Sequence, residues 1–146
     1  MDPEKEVALY NNSSFHPLFG MWVEKLLDKV KGRAKWTRVR EYKGYLVGSA
    51  IFEEEALPWV LGVVKEVLEK EGEIILSELG PGKIVDRGVE SLKVRGGRFI
   101  EYYDYRSMRV VFIRLYVLEG EEGRWLALYI DENPETPWWA GEERST

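Results

Sequence analysis

The sequence contains no cysteine and no glutamine, and its single histidine is His16. Without cysteine there can be no disulfide, thiolate metal site or cysteine nucleophile. One histidine without cysteine also argues against a zinc site. No run of 18 apolar residues occurs, so no membrane span is expected. The acidic, polar first residues do not match a signal peptide, and we therefore expect a cytoplasmic protein without a metal or cofactor.

Side-chain amides are scarce, because the only asparagines are Asn11, Asn12 and Asn133. Charged residues make up 32% of the chain and are mostly Glu, Lys and Arg, a balance typical of hyperthermophilic proteins, although chance in a short chain is the alternative. The 45% hydrophobic content favours a packed core over disorder. We therefore expect one domain over 1–146, with an N-terminal segment at 1–12 and a C-terminal arm at 131–146 that forms no element.

Hydrophobic spacing predicts two long helices, one beginning near Pro17 and ending before Gly32, the other beginning near Pro58 and ending at Gly72. Between them, 36–42 and 45–52 predict a hairpin turning at Lys43-Gly44. Residues 84–94 are ambiguous and predict a helix that becomes a strand, and Gly96-Gly97 predicts a turn. Further strands are predicted at 74–76, 98–105, 108–118 and 124–130. The predicted class is α+β: a mostly antiparallel sheet of about four or five strands with two long helices on one face.

Positive charge is concentrated in two aromatic-rich stretches of this acidic chain, whose net charge is −5. Residues 31–45 carry a local balance of +5 and residues 83–114 one of +4, so the remaining residues sum to −14. Segregation of this kind can build a positive groove on a negative protein.

Alternation along the predicted strands places Arg beside Trp and Tyr. Residues 36, 38, 40 and 42 share one face of their strand, and 114 and 125 lie on comparable faces of later strands. Rings can stack on bases while cations neutralise phosphates. The candidate nucleic-acid-binding residues are Trp36, Arg38, Arg40, Tyr42, Arg95, Arg98, Tyr102, Arg106, Arg109, Arg114 and Trp125. Two alternatives stay open: a subunit interface, and ordinary packing of aromatic residues in a sheet.

Two adjacent tryptophans, Trp138 and Trp139, lie in the predicted arm and are candidates for an oligomer contact, because exposed large rings are costly. No catalytic motif is present. Gly80-Pro81-Gly82-Lys83 lacks the spacing of a phosphate loop. Asp86 and Glu90 would share a helical face near Lys93 and could hold Mg²⁺, but salt bridging with Arg87 and Lys93 is the favoured interpretation. We therefore expect a non-enzyme.

The overall build resembles the ThermoDBP group of single-stranded DNA-binding proteins from thermophilic archaea. The resemblance rests on the small α+β domain, the thermophile composition, and segments such as Trp36-Thr37-Arg38-Val39-Arg40 and Arg98-Phe99-Ile100-Glu101-Tyr102-Tyr103. It implies single-stranded DNA binding by a homo-oligomer through a cleft of apolar and basic residues. The chain lacks a C-terminal heptad run, so a leucine-zipper tail is not expected.

The function predicted from sequence is non-catalytic, largely sequence-independent binding of single-stranded DNA by a homo-oligomer, a dimer or a tetramer. The alternatives are an RNA-binding protein, a protein-interaction or assembly module, and, with less support, a small metal-dependent nuclease using Asp86, Glu90 and Lys93.

Overall fold

A computed structural model describes residues 20–42, 45–68, 72–81, 83–87, 90–132 and 143–145. The helices are α1 (Met21–Val30) and α2 (Leu57–Leu68), the second preceded by a 3-10 turn at Glu54–Ala56. The strands are β1 (Trp36–Tyr42), β2 (Tyr45–Glu53), β3 (Gly72–Leu79), β4 (Lys83–Arg87), β5 (Glu90–Asp104), β6 (Arg109–Gly120), β7 (Gly123–Asp131) and β8 (Glu143–Ser145). Neither helix is long and apolar enough to cross a membrane.

All eight strands belong to one antiparallel sheet with the order β1-β2-β7-β6-β5-β4-β8. The strand β3 lies off this path and pairs with β5. It takes the 97–104 half of β5, while β4 takes residues 90–93. One edge of β5 is therefore shared by two short strands, and its other edge is occupied by β6.

The predicted sheet of about four or five strands with two long helices was wrong, although the α+β character is present. The helices span 10 and 12 residues, and the sheet has eight strands. Six strand segments had been predicted individually, and two further segments complete the eight. Residues 84–94, predicted to begin as a helix, form β4 and the start of β5, and the expected arm contributes β8, which pairs with β4. The spacing of residues 84–94 fits a helix and a strand equally, and the strand is formed because the two halves of this segment pair with each other.

Gly96 and Gly97 lie inside β5 and do not form the predicted turn. The register of β5 against β6 shifts between Val94 and Gly96, which marks a β-bulge. Gly97 has a φ of 154°, and a Cβ there would overlap the backbone carbonyl of Leu115. The glycine pair lets this 15-residue strand bend between its β4-paired and β3-paired halves.

Both helices bury one stripe against the same face of the sheet. In α1 the buried residues recur at helical spacing: Trp22, Val23, Leu26, Leu27 and Val30. In α2 they are Val60, Val64 and Leu68. They pack with inward-facing residues of β2, β5, β6 and β7 in the main core cluster. We call this the helix face of the sheet.

The opposite side, which we call the second face, carries a smaller buried cluster. Its members are Val47, Ile51, Leu92, Val94, Tyr116, Leu118, Ala127 and Tyr129. Because both faces are covered, residues 46–52 of β2 are buried without interruption. This explains why β2 shows a continuous apolar run where a strand with one solvated face would alternate.

Gly48 sets how closely α1 approaches the sheet. A Cβ at this position would lie 2.6 Å from Cγ1 of Val23 and 2.9 Å from Cδ1 of Leu27. Real Cβ atoms do not make such contacts, so the Val23 and Leu27 side chains or the helix itself would have to shift. The missing side chain therefore allows α1 to pack directly on the backbone of β2.

We predict that Gly48→Ala lowers the free energy of unfolding by about 1–3 kcal/mol, because it overpacks the α1–β2 contact. The matched control is Gly62→Ala in α2, where nothing lies within 4 Å of the added Cβ. It should stabilise by up to about 1 kcal/mol through helix propensity. Urea unfolding followed by circular dichroism measures both changes. Equal effects of the two variants would contradict a close α1–β2 approach.

Candidate functional site

Three of the predicted residues lie together on the second face of β1. Trp36, Arg38 and Arg40 pair with Ile51, Ser49 and Val47 of β2. Because paired residues in an antiparallel sheet project to the same side, the register puts all three on the face opposite the helices. The intervening Val39 packs against the main core instead. The alternation expected from the sequence is therefore present in β1.

The strand registers align these residues in rows that cross the sheet from β1 to β5. The first row is Trp36, Ile51, Ala127 and Tyr116. The second is Arg38, Ser49, Tyr129, Arg114 and Phe99. The third is Arg40, Val47, Asp131, Phe112 and Glu101. Neighbouring strands lie about 4.8 Å apart, so Arg38 and Arg114, three strands apart, are separated by roughly 14 Å along their row.

Cations lie over aromatic rings along this surface. The Arg38 guanidinium is 5.4 Å from the ring centroid of Trp36, and Nζ of Lys35 is 4.5 Å from that of Trp125. Further along, the Arg114 guanidinium is 4.6 Å from the Phe99 ring. Each distance is within the range of a cation–π interaction, which orients the charge and the ring together.

On the second face the β1 edge is accessible, whereas the middle of the sheet is not. Trp36 is 39% exposed and Arg40 is exposed, whereas Ala127 and Tyr129 in the middle of the sheet are fully buried. Phe99 and Phe112, whose rings stack at 6.2 Å and 6°, are half-buried, as are Arg38, Arg114 and Trp125. The second face therefore has a basic and aromatic strip along β1 beside a packed cluster. Its accessible part is narrower than the open sheet surface expected from sequence.

Three predicted residues lie on the helix face instead. Tyr102 is 1% exposed and packs edge-to-face against Trp22 at 5.2 Å, so its ring cannot stack on a base. Arg98 pairs with Leu115 in the sheet, and its Nη1 lies 3.8 Å from Glu78. Arg109 pairs with Asp104 at the far end of the same strand pair. Alternation in β5 puts even-numbered residues of this segment toward the helices.

The other predicted residues are dispersed or undescribed. Arg95, at the bulge, forms an ion pair with Glu119 at 3.3 Å, and Arg106 lies in the β5–β6 turn. The backbone of Tyr42 pairs with Tyr45, while its side chain, Trp138 and Trp139 lie outside what the structure describes. The Lys43-Gly44 turn and the first turn of the Pro17 helix also lie outside the described residues.

Three residues that were not predicted also lie along the second face: Lys35, Phe99 and Phe112. Lys35 precedes β1, and its backbone N–H donates a hydrogen bond to the Ile51 carbonyl at 2.7 Å, which continues the β1–β2 pairing. The alternation of 97–103 contained the signal for Phe99. Only the strand partners, however, reveal that it lies beside Arg114.

The structure gives no support to the predicted nuclease arrangement. Asp86 and Glu90 lie in strands, where Asp86 pairs with Ser91 and Arg87 with Glu90, so they do not share a helical face. Among the residues described, no cluster of three or more His, Asp or Glu side chains could hold a metal ion.

A buried polar cluster anchors the beginning of α1. The backbone N–H groups of Gly20 and Trp22 donate to the two carboxylate oxygens of Glu132, the second at 3.4 Å. The Trp22 indole donates to Asp104 at 3.3 Å, and Ser107 donates to the same carboxylate at 2.7 Å. Glu132 thus satisfies N–H groups that begin the helix, the role that a capping side chain usually has.

Burial raises the pKa of Glu132 to about 7, and the nearby Asp104 carboxylate adds to this shift. The donated backbone hydrogen bonds and the positive charge of Arg109 act in the opposite direction. Desolvation is the dominant cause, since a charge in a buried position loses its hydration. A carboxyl group with this pKa could act as a general acid, but its described contacts are those of a helix anchor.

Comparisons with protein-family models, with curated proteins and with solved structures find no match to this chain. The resemblance to the ThermoDBP group therefore stays a prediction from sequence.

We predict that Glu132 makes the fold less stable as the pH rises from about 4.5 to 7. In this window the unfolded carboxyl is ionised while the folded one keeps its proton, so the folded state binds more protons. The loss should approach 3 kcal/mol, from about 1.4 kcal/mol per pKa unit. Urea unfolding of wild type and Glu132→Gln at several pH values measures it.

The difference in stability between the two proteins should fall across this window and stay constant above it. Glu66→Gln, on the exposed side of α2, is the matched control and should show no such trend. A wild-type to Glu132→Gln difference that does not vary with pH would show that Glu132 ionises normally in the fold.

Proposed function

We propose that the chain binds single-stranded nucleic acid, largely independently of sequence, through the β1 strip: Lys35, Trp36, Arg38, Arg40 and Trp125. The observation that carries this proposal is the exposed Trp36 side chain with cations on the same face of an edge strand. A ring of this kind offers a stacking platform for any base, and the neighbouring cations offer contacts to phosphates.

The local charge supports this proposal. Lys35, Arg38 and Arg40 are followed by Glu41, which occupies the helix-face side of β1. The second face also carries acidic residues, but Asp131 is fully buried, Glu101 is half-buried in β5, and the exposed Glu73 lies on β3 at the opposite edge. Positive charge is therefore concentrated at the β1 edge, which suits a polyanion that tracks along β1.

DNA is proposed over RNA because of the resemblance to the ThermoDBP group. Stacking on rings and neutralising phosphates serve both polymers equally. Discrimination would require contacts to the 2′-hydroxyl, for which the strip offers no specific arrangement among its described contacts. An RNA-binding role is therefore the alternative within the same proposal.

We predict that labelled oligo-dT binds with an affinity that falls as salt rises, by about 0.7 log units per log unit of salt for each phosphate neutralised. Trp36→Ala should weaken binding by about 1–3 kcal/mol, the range for one stacked base. Arg40→Ala should reduce the salt slope by roughly 0.7, since one phosphate contact is lost. Fluorescence anisotropy across a salt series measures all three, and oligo-U in parallel separates DNA from RNA.

Trp59→Ala is the matched control for Trp36→Ala. Trp59 has nearly the same exposure, 37% against 39%, and also lies under a guanidinium, that of Arg33 at 5.4 Å. It belongs to α2, however, and hence to the opposite side of the sheet. Equal losses in the two variants would remove the β1 strip from the proposal, and no binding to either oligonucleotide at low salt would reject the function.

An assembly module is the second candidate, favoured by one specific observation. Among the described strands, β1 and β3 each pair with a single neighbour. Edge strands of this kind can accept a further strand from another chain.

A further inference from the structure

Three described strands lie at edges of the sheet, β1, β3 and β8, since each pairs with a single neighbour. Two of these edges differ in charge. The strand β3 carries Glu73 and Glu78 and has no basic residue. The opposite edge, β1 with the preceding Lys35, carries three basic residues and Glu41. The β3 edge is therefore acidic and the β1 edge is basic.

The acidic edge also exposes apolar side chains on both of its sides. Ile75 is 42% exposed and Leu76 is 44% exposed. Successive strand residues project to opposite faces, so the middle of β3 is incompletely covered on both faces, although Ile74 packs against the main core and Leu79 against the second-face cluster. An edge strand with exposed aliphatic residues is a surface that a further strand would bury.

The strand directions allow the two edges to meet in identically oriented copies. From β1 through β2, β7, β6 and β5 to β3, every pairing is antiparallel. Five reversals make β1 and β3 run in opposite directions. If a second copy is placed beside the first in the same orientation, its β1 lies antiparallel to β3, and both helix layers stay on one side.

One register of this contact matches charge and face together. It places Arg40 opposite Glu73 on the second face, and it places Lys35, whose side chain reaches over Trp125, at the backbone position opposite Glu78. Between these pairs, Arg38 lies opposite Ile75 and Thr37 opposite Leu76, so the exposed aliphatic residues are covered. Opposite charges facing one another across an antiparallel pair are stabilising.

We propose that the β1 edge of one copy pairs with the β3 edge of the next, so that copies join head to tail into one continuous antiparallel sheet. Symmetric pairing of two β1 strands is disfavoured. Two β1 strands related by a two-fold axis at Arg38, Val39 or Arg40 would keep both helix layers on one side but would place arginine opposite arginine. Like charges in opposite positions repel. A head-to-tail contact does not close on itself at two copies, and it generates a ring or a filament.

This assembly uses the backbone edge of β1, and it does not rest on the proposed nucleic-acid binding. The test is therefore made without nucleic acid. Sedimentation velocity and light scattering would follow the mass of the 17.0 kDa chain from about 5 to 500 µM, a range suited to a contact of this small area. Measurements at about 50 and 500 mM NaCl would separate screened from unscreened association.

The variants are Arg40→Glu, which sets two negative charges against each other at the 40–73 pair, and Glu73→Arg, which sets two positive charges against each other there. Each alone should weaken association roughly tenfold, because the pair becomes repulsive. Their equimolar mixture should recover it, since a contact between the two variants again joins opposite charges at this pair. Glu66→Arg, which makes the same charge change as Glu73→Arg on the exposed side of α2, should assemble like wild type. Thermal unfolding checks that each variant is folded.

Wild-type mass that rises beyond two copies with concentration, most strongly at low salt, together with recovery in the mixture, supports the proposal. Growth that stops at two copies would show a symmetric contact, such as β3 with β3, and would overturn it. A single constant mass at every concentration, or a mixture that stays unassociated, would also overturn it. Wild-type protein that associates but does not bind oligo-dT or oligo-U at low salt would reject the nucleic-acid proposal alone.

Discussion

The structure depends on central strands that are buried on both faces. From residue 46 to residue 52, β2 has no exposed side chain, because α1 packs on one face and a second apolar cluster lies on the other. Such strands have no accessible side-chain surface to offer. Within the described sheet, exposed side chains therefore lie mainly on the edge strands and at the strand ends, and both proposals made for this protein use an edge strand.

Sequence alternation predicted which residues share a face but could not say which face the helices cover. In β1 it placed Trp36 with Arg38 and Arg40 correctly. The same alternation applies in β5. There, however, the predicted base-stacking residue Tyr102 faces the helices and packs against Trp22. Residues 84–94 fit both periods, and only the β4–β5 pairing decides between them. The α1 stripe was predictable because its spacing fits a helix alone.

The two proposals use different parts of β1. Binding of a polymer would use side chains on the second face, whereas joining of copies would use the backbone N–H and C=O groups along the edge. The two uses are compatible, and a joined sheet would place the strip of each copy at a fixed interval from the next. The buried Glu132 takes part in neither use of β1. It binds the first N–H groups of α1 and so holds this helix to the end of β7.

That glutamate contact also has a consequence for the order in which the chain folds. The hydrogen bond between Gly20 and Glu132 joins residues 112 positions apart, close to the whole length of the described chain. During synthesis, α1 emerges long before β7, so its first N–H groups have no Glu132 to bind until the last long strand is complete. Contacts of such separation slow folding, because most of the chain must first be ordered. The first helix of the described residues therefore gains this anchor only after β7 has formed.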